Sequence, residues 1–491
     1  RKSNSDSTSV KYTYDKRSLL TKEEANFSTI GGSGGGGGGS PLIEANISAE
    51  DRPYKFYGTL TAGKELVSMR AERSKTFDNG DGTYTSVFHA KPIHFKNELN
   101  NWEEIDARIS FNKGQYKIGK NKLDVSFGNN TLYSISNGHS SITFTPTKVR
   151  INDETIGIDN AKMDWKLIDD YHMEGQISDG IYLWLQSHEA FIRHAIKTDK
   201  KVNDFEAVYL VSISGYTKEN NKGESKDGKK YYLPDENGDL TFKDSDGNVI
   251  RIPQPSMWND ENSSNAITHE LWEENGKLYY RKYATEDGMK WLESQSGSMY
   301  LDSSSTFYGT LSDGWIEYGY SGQTSWPVVR NSSYAAYVSS TSVNDTWGAA
   351  SIRYTNGTYD LQRSFFYFDT SPLPDDALVS TASIKIYGYS YATSSVVAQK
   401  GTQSDSLVSS DYDNFTGTEY GHTTWALYQY NTITFNSTGM GDINKTGTTK
   451  IATREYLYDY IGDTPVTSKR NGMYYSDQSG TDYDPKLEIT Y

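Results

Sequence analysis

Asn-Gly and Asp-Gly dipeptides recur between runs of alternating apolar and polar residues, and this pattern constrains the fold more than any other feature of the chain. Examples are FDNGDGTYTSVFH, ISNGHSSITF, DENGDLTFKDSDGNVIRIP and WEENGKLYYRKY. Such dipeptides favour the tight turns of β-hairpins. The turns recur at intervals of about ten residues as far as Asp302, which is typical of β-sandwiches. The sequence therefore predicts an all-β fold built from tandem β-sandwiches.

Composition supports this fold class and excludes several functions. The 39 Tyr, 10 Trp and 43 Gly favour short strands over amphipathic helices. The absence of Cys removes disulfides and cysteine-type zinc sites. The net charge of −15, with Lys and Arg scattered among more numerous acids, argues against a nucleic-acid partner. No run reaches the roughly 18 apolar residues of a membrane-spanning helix, so no membrane span is predicted.

Shifts in composition divide the chain into six predicted segments. They are an N-terminal arm (1–30), a Gly/Ser linker (31–40), a first β-sandwich (41–170), a second β-sandwich (171–305), a connector (306–326) and a jelly-roll domain (327–491). Ser, Thr and Tyr become more frequent from about Trp326 onward, and charges become fewer. The closing strand KLEITY is expected to be buried around Leu487 and Ile489, because first and last strands often pair in jelly rolls.

The arm combines a strand-like stretch with a tract that has no structure of its own. In SVKYTYD, the residues Val10, Tyr12 and Tyr14 share one face of a strand, and LLTKEEANF is compatible with one or two helical turns. A strand of this kind can add to an open sheet edge of another chain. We predict that these three residues contact a neighbouring subunit and that the glycine tract is the crossing. The alternatives are an arm folded back onto its own sandwich and an artificial linker.

The C-terminal segment resembles the DNRLRE family, also called carbohydrate-binding module family 96, which is related to the archaeal disaggregatase repeats. The resemblance rests on Arg363, Phe366, Phe368 and Asp369 of RSFFYFD, on SSDYDNF and on the closing SGTDYDPKLEITY. The upstream stretch RSKTFDNGDGTYTSVFHAKPIHFKNELNNWEEID is similar to the β-sandwich region of secreted wall-associated and Rhs-type surface proteins. In that family such segments are noncatalytic scaffolding.

The resemblance implies a carbohydrate-binding domain with one structural calcium ion. Its ligands would be Asp411, Asp413, Asp482 and Asp484, if strands bring the two segments together. The alternative is that both segments are solvated turns. Aromatic rings for the apolar face of a sugar are plentiful, and the same rings serve equally well as core residues. The aromatic candidates are Trp347, Tyr354, Tyr359, Tyr420, Trp425, Tyr428 and Tyr430.

Acceptor sequons for N-glycosylation are concentrated in the last part of the chain. Six of the eight Asn residues from position 331 onward lie in the Asn-X-Ser/Thr pattern, which predicts glycans on exposed turns. These acceptors are Asn331, Asn344, Asn356, Asn414, Asn436 and Asn444. The chain also begins with Arg1, as a mature exported protein does after its leader is removed. Both features predict an archaeal or bacterial glycoprotein at the cell surface.

The motifs of common enzymes are missing from the sequence. Outside the glycine tract there is no Gly-X-Ser-X-Gly pattern, and the tract itself lacks the Lys-Ser/Thr of a phosphate-binding loop. We therefore predict a non-enzymatic extracellular structural protein that assembles with copies of itself, through its arm, into a filament, sheath or tube. The alternative is a monomeric secreted surface protein whose C-terminal domain binds an acidic polysaccharide. No cofactor other than calcium is expected.

Overall fold

The structure, a computed structural model, describes residues 10–14, 20–25 and 63–491, the last range apart from 113, 129–130, 220–224, 227, 236–237, 260–262, 265, 307–312, 320–324, 341–349 and 479. Strands dominate these residues, and every pairing between named strands is antiparallel. The predicted all-β, sandwich-like fold is confirmed. Within the described ranges, no helix is long and apolar enough to cross a membrane.

The chain forms two units, of which the first, Arg1–Tyr54, contains a two-stranded hairpin. Its strands are β1 (Val10–Tyr14) and β2 (Leu20–Ala25), with Val10 opposite Ala25. Leu20–Ala25 is thus a strand, and the interpretation of this stretch as helical is wrong, because its backbone pairs with β1. The Gly/Ser tract at 31–40 lies outside the described residues. Arm donation to a neighbouring subunit stays a prediction.

The second unit, Lys55–Tyr491, holds the remaining elements. The strands before residue 105 are β3 (Lys64–Glu65), β4 (Ser74–Asp78), β5 (Tyr84–His89), β6 (His94–Lys96) and β7 (Trp102–Glu104). The strands from residue 106 to residue 218 are β8 (Asp106–Asn112), β9 (Gln115–Lys120), β10 (Asp124–Phe127), β11 (Tyr133–Ser136), β12 (Ser141–Ile151), β13 (Glu154–Gly157), β14 (Trp165–Leu167), β15 (His172–Ser178), β16 (Ile181–Ser187), β17 (Phe191–Thr198), β18 (Phe205–Ser214) and β19 (Tyr216–Lys218).

The elements from residue 225 to residue 306 are β20 (Ser225–Lys226), β21 (Lys229–Tyr232), β22 (Leu240–Asp244), β23 (Val249–Ile252), β24 (Met257–Trp258), β25 (Ser263–Ser264), β26 (Ile267–Glu274), β27 (Lys277–Ala284), helix α1 (Glu286–Ser294) and β28 (Met299–Thr306). The later elements are β29 (Gly314–Glu317), α2 (Trp326–Arg330), β30 (Tyr337–Ser339), β31 (Ser351–Thr355), β32 (Thr358–Asp369), β33 (Thr381–Ala392), β34 (Ser395–Gly401), β35 (Phe415–Thr424), β36 (Tyr430–Thr434), α3 (Ser437–Gly441), β37 (Thr448–Glu455), β38 (Asn471–Met473) and β39 (Lys486–Thr490).

Strands β8 to β28 form one large sandwich. Its first sheet runs β20-β21-β26-β27-β18-β12-β11-β10-β9-β8, and its second runs β14-β15-β16-β17-β28-β23-β22-β19. Alternate residues of both sheets point into one shared core, including Phe144 and Tyr209 from the first and Leu183 and Ile196 from the second. The hydrophobic effect of burying these rows holds the two sheets together.

The C-terminal sandwich is assembled from two separate stretches of the chain. One sheet runs β30-β29-β32-β37-β34-β35, and the other runs β3-β4-β5-β39-β33-β36. Strand β39 therefore lies between β5 and β33, with Ile489 opposite Ser86 and Ala382. Leu487 and Ile489 are fully buried, which confirms the prediction for the closing strand. Phe88, from β5, belongs to the same core.

This pairing divides the chain differently from the predicted boundaries. Residues 64–89, assigned by sequence to the first sandwich of 41–170, supply three strands to the C-terminal sandwich. No sheet break occurs near residue 170, because β12 of the first half pairs with β18 of the second half. The connector predicted at 306–326 contains β29, which pairs with β32. The large sandwich is thus inserted between two parts of the C-terminal one.

A buried cluster of charged side chains includes Arg363 of strand β32. Asp459 sits in a π-helical turn, Tyr456–Ile461, and accepts paired hydrogen bonds from Arg363 at 2.9 and 2.7 Å and from Arg454 at 3.0 and 2.7 Å. Arg363 and Asp459 are fully buried. Burial alone would raise the pKa of Asp459, but the two guanidinium groups hold it well below its usual range. Arg363, prominent in RSFFYFD, therefore has a structural role.

Candidate functional site

Strand β33 places a row of tyrosines on the outer face of the C-terminal sandwich. Its side chains alternate between the two faces of the sheet. Ile384 and Ile386 are fully buried, whereas Tyr387 and Tyr389 are half-buried on the opposite face. The neighbouring strand β36 begins with Tyr430, directly opposite Tyr387. The stretch IYGYSY therefore builds an aromatic surface by simple strand alternation.

Five tyrosine rings on this face are in continuous contact, and we call them the tyrosine platform. Tyr389 and Tyr474 have ring centroids 4.7 Å apart, and Tyr474 stacks on Tyr483 at 5.1 Å. Tyr483 lies 4.5 Å from Tyr387, which meets Tyr430 edge-on at 5.3 Å. Each ring is half-buried, so each presents part of its surface to solvent. The result is a continuous surface of aromatic rings.

The backbone beside the platform is unusually constrained. A Cβ at Gly388 would lie 2.0 Å from the carbonyl oxygen of Ala426, so only glycine permits this close approach. The approach places Tyr428 in the left-handed region, at φ 57°, with its N–H donating to Gly388 O at 2.9 Å. Its side chain is 58% exposed. Such a backbone conformation is costly for a residue other than glycine and is found most often at functional sites. At Tyr428 it presents an exposed ring beside the platform.

Two cationic side chains lie over aromatic rings at this surface. The ammonium nitrogen of Lys486 is 5.0 Å from the Tyr430 ring, and the guanidinium of Arg470 is 5.0 Å from the exposed ring of Tyr391. The Tyr430 hydroxyl donates to the carbonyl oxygens of Asp482 and Asp484 at 2.8 and 3.0 Å. Rings held by such contacts are pre-organised. Burial lowers the pKa of Lys486, which also faces Asp484, so Arg470 is the cation better placed to meet an anionic ligand.

The hydroxyl groups of the platform are neutral donors and acceptors. Burial, together with the neighbouring tyrosines, raises the pKa of Tyr474 well above its usual value. A neutral phenol can both donate and accept a hydrogen bond. The surface therefore combines apolar ring faces with neutral hydrogen-bonding groups at any physiological pH.

The structure assigns different places to the aromatic candidates from the sequence. Tyr428 and Tyr430 lie at the platform. Tyr359, Tyr420 and Trp425 are buried core residues. Tyr354 is half-buried against Tyr359, at 5.4 Å, and Trp347 lies outside the described residues. The residues that sequence reasoning missed are Tyr387, Tyr389, Tyr474 and Tyr483, of which the first two are marked by alternation in IYGYSY.

The four predicted calcium ligands do not form one site. Asp411 is buried, and its carboxylate accepts from Ser404 N, Ser404 Oγ and Asn414 Nδ2 through one oxygen and from Val408 N through the other. Its oxygens therefore close a turn. Asp413 and Asp482 are exposed, and Asp484 is buried. Over the described ranges, these four carboxylates do not meet within ligand distance of a common ion.

A different group has the composition of a metal site. Ligand atoms of Glu65, His94 and Glu104 lie within 4.8 Å of one another. Both carboxylates already have cationic partners: Arg70 donates to Glu65 at 2.6 Å and to Glu104 at 3.1 Å, and Lys75 contacts Glu104 at 2.5 Å. Two positive charges thus balance two negative charges. The group fits an ion-pair network rather than a divalent cation.

The predicted glycan acceptors are largely on the surface. Asn331, Asn356 and Asn436 are exposed, as is Asn444. Asn356 occupies the β31–β32 turn at φ 50°. Asn414 is half-buried, and its amide nitrogen donates to Asp411 at 2.6 Å. Asn344 lies outside the described residues. Exposure permits glycosylation at four of the six positions, and the modification itself stays a prediction.

Comparisons with known proteins add little to this geometry. No family model matches the chain, and no curated protein matches it. The N-terminal domain of the Streptococcus gordonii adhesin Sgo0707 is 10% identical, with a TM-score of 0.14, covering 83% of this chain and 84% of that one. Trypanosoma rangeli sialidase in complex with sialic acid is 7% identical, with a TM-score of 0.12 and coverages of 86% and 87%. Scores this low carry no argument.

The described residues therefore form an all-β protein of sandwich-like architecture, with a tyrosine surface on its C-terminal sandwich.

Proposed function

We propose that this protein is a non-enzymatic extracellular surface protein that binds polysaccharide through the tyrosine platform. The observation that carries the proposal is the row of five contacting rings with neutral hydroxyls on an exposed sheet face. Sugar rings pair an apolar face with a rim of hydroxyl groups, and amphipathic tyrosines match both.

An acidic polysaccharide is the favoured ligand. Arg470 lies over Tyr391 on the same face as the platform, although the whole chain carries a net charge of −15. A local cation on an acidic protein gives a uronate-containing chain a place to bind while the rest of the surface repels it. The resemblance to carbohydrate-binding module family 96 points in the same direction.

Affinity electrophoresis tests the proposal, with polygalacturonate as the acidic probe and a neutral glucan as the second gel. Tyr474→Ala should weaken binding by about twofold to tenfold, because an aromatic contact contributes about 0.5–1.5 kcal/mol and 1.4 kcal/mol is a factor of ten. The matched control is Tyr334→Ala, since Tyr334 is 62% exposed and outside the platform. Retardation of wild type and Tyr474→Ala to the same extent would contradict the proposal. Equal retardation in both gels would remove only the preference for acidic chains.

A second candidate function is self-assembly into a filament, sheath or tube through residues 1–30. It is favoured by the hairpin of β1 and β2, which pair only with each other among the described strands. A two-stranded hairpin is marginally stable in water and leaves sheet edges open to another strand. Both functions are compatible in one surface protein.

A further inference from the structure

Lys91 and Asp477 form an ion pair in an unusual location. Lys91 follows β5 and Asp477 follows β38, so the pair joins the two parts of the C-terminal sandwich. The Lys91 ammonium nitrogen lies 3.1 Å from Asp477 Oδ1, and the two side chains are only 7% and 2% exposed. The other oxygen, Asp477 Oδ2, is buried and has no hydrogen-bond partner. A buried carboxylate with one unsatisfied oxygen is costly.

The surroundings hold this pair rigidly. His188, from the turn between β16 and β17, donates through Nε2 to the carbonyl oxygens of Ser476 and Gln478, at 2.9 Å each. Those two carbonyls flank Asp477. The Lys91 nitrogen lies 5.7 Å from the ring centre of Phe191. The large sandwich therefore holds the Asp477 turn through His188 and places the Phe191 ring near the lysine.

A second carboxyl group stands next to the pair. Asp313 is fully buried and accepts hydrogen bonds from the Ser476 backbone at 3.0 Å and from the Ser476 hydroxyl. Burial first, and then the charge of Asp477, raise the pKa of Asp313 to about 6. The Lys91 charge also acts on Asp313. A carboxyl group with such a pKa can carry a proton to and from its neighbours near neutral pH.

We propose that Lys91 and Asp477 condense into an intramolecular amide crosslink. In the first step, the Lys91 ammonium passes a proton to the Asp477 carboxylate, which gives a neutral amine and an acid protonated on Oδ2. The lysine nitrogen attacks the Asp477 carbonyl carbon, the bond from that carbon to Oδ2 breaks, and the hydroxyl leaves as water. Asp313 takes the proton from nitrogen and delivers it to the departing oxygen. One water is released, and no oxidant or reductant is needed.

Geometry and energetics favour this reaction over a permanent ion pair. The lysine nitrogen lies 3.1 Å from Asp477 Oδ1 and thus beside the carboxyl group whose carbon it attacks, so the fold has already brought the two reactants together. Condensation removes two buried charges and their desolvation penalty, and it eliminates the unpaired Oδ2. The product links a residue that follows β5 to a residue that follows β38, so a covalent bond would fasten the two parts of the C-terminal sandwich to each other.

Intact-mass spectrometry of the denatured full-length chain tests the proposal. The protein is produced in a bacterial host without N-glycosylation, so that glycans do not alter the mass. We expect a mass lower than the sequence mass by one water molecule, and a branched peptide joining Lys91 to Asp477 after digestion. Lys91→Arg should restore the full sequence mass, and Asp313→Asn should abolish or slow the loss of water.

Lys75→Arg is the matched control. Lys75 is also buried and pairs with a carboxylate, Glu104, but that partner is 47% exposed, so the variant should keep the mass deficit. The wild-type mass decides the question even if a variant fails to fold. A wild-type mass equal to the sequence mass, with Lys91 found only in linear peptides, would overturn the proposal. A water loss located in another pair of residues would overturn it equally.

Discussion

At the scale of single residues, Asp459 is the most consequential charge in the C-terminal sandwich. Asp459→Asn removes the anion that both Arg363 and Arg454 bind, and it leaves buried positive charge uncompensated. We expect a loss of about 3–5 kcal/mol in the free energy of unfolding. Chemical denaturation at neutral pH measures it. The control is Asp405→Asn, whose carboxylate pairs with Lys450 but is 87% exposed, and which should unfold like wild type.

The same pair of variants carries a pH signature. The pKa of Asp459 is lowered on folding, so the unfolded chain binds more protons at this group and its stabilisation is lost as the pH falls. The difference between wild type and Asp459→Asn should therefore be largest above about pH 4 and narrow below it. A difference that grew on acidification would contradict this account.

The pKa of Glu189 shifts in the opposite direction on folding. Burial raises its pKa to about 7, so the folded state holds a proton that the unfolded chain releases at a lower pH. Its contribution therefore falls as the pH rises from about 4 to about 7. Glu189→Gln should gain thermal stability relative to wild type between about pH 5 and pH 8. Thermal unfolding at several pH values measures the gain, and Glu98→Gln, at an exposed position, should show none.

At the scale of elements, β39 depends on a neighbour from the other end of the second unit. A fragment of residues 313–491 lacks β5, so one edge of β39 is unpaired and Phe88 is missing from the core. We expect this fragment to be unfolded or aggregated and a peptide of residues 63–92 to restore its folding. Circular dichroism with and without the peptide measures the effect. The same peptide carrying Phe88→Asp is the control and should not restore folding.

Local pattern predicted the hairpins well, because their determinants are local. The stretch WEENGKLYY forms the β26–β27 hairpin, and its turn residues Asn275 and Gly276 both have positive φ, 51° and 70°. That is the conformation Asn-Gly favours in a two-residue hairpin turn. The strand from elsewhere in the chain that pairs with a hairpin cannot be predicted in the same way. Thr85 and Thr490 share a hydrogen bond across 405 positions, and no local pattern encodes such a pairing.

The same distinction explains the candidate site. Tyr387 and Tyr389 are readable as one face of a strand, but Tyr474 and Tyr483 join them only through the folding of separate loops. Asp411 has the residue type of a calcium ligand, and its turn satisfies it with neutral donors instead. Residue type and spacing gave the chemistry available, whereas the tertiary fold determined which groups meet.

At the scale of the whole molecule, removing residues 1–40 separates assembly from ligand binding. If the arm connects subunits, the truncated protein should remain folded and monomeric while the full-length chain polymerises. The reason is that a head-to-tail contact does not close and so propagates. Negative-stain microscopy and light scattering measure polymer formation. Polymers of the same form from the truncated protein would show that the arm is not the connector, and polygalacturonate binding should be unaffected by the truncation.

The position of β39 between β5 and β33 also sets the order of events when the chain is made. During synthesis, β5 is made about four hundred residues before β39, because Thr85 and Thr490 are 405 positions apart. Until β39 is made, the sheet lacks this central strand, and the edges of β5 and β33 can pair with other strands. The large sandwich can fold during synthesis, but the C-terminal one must wait for residue 490. We therefore expect nascent chains to need protection until that strand arrives.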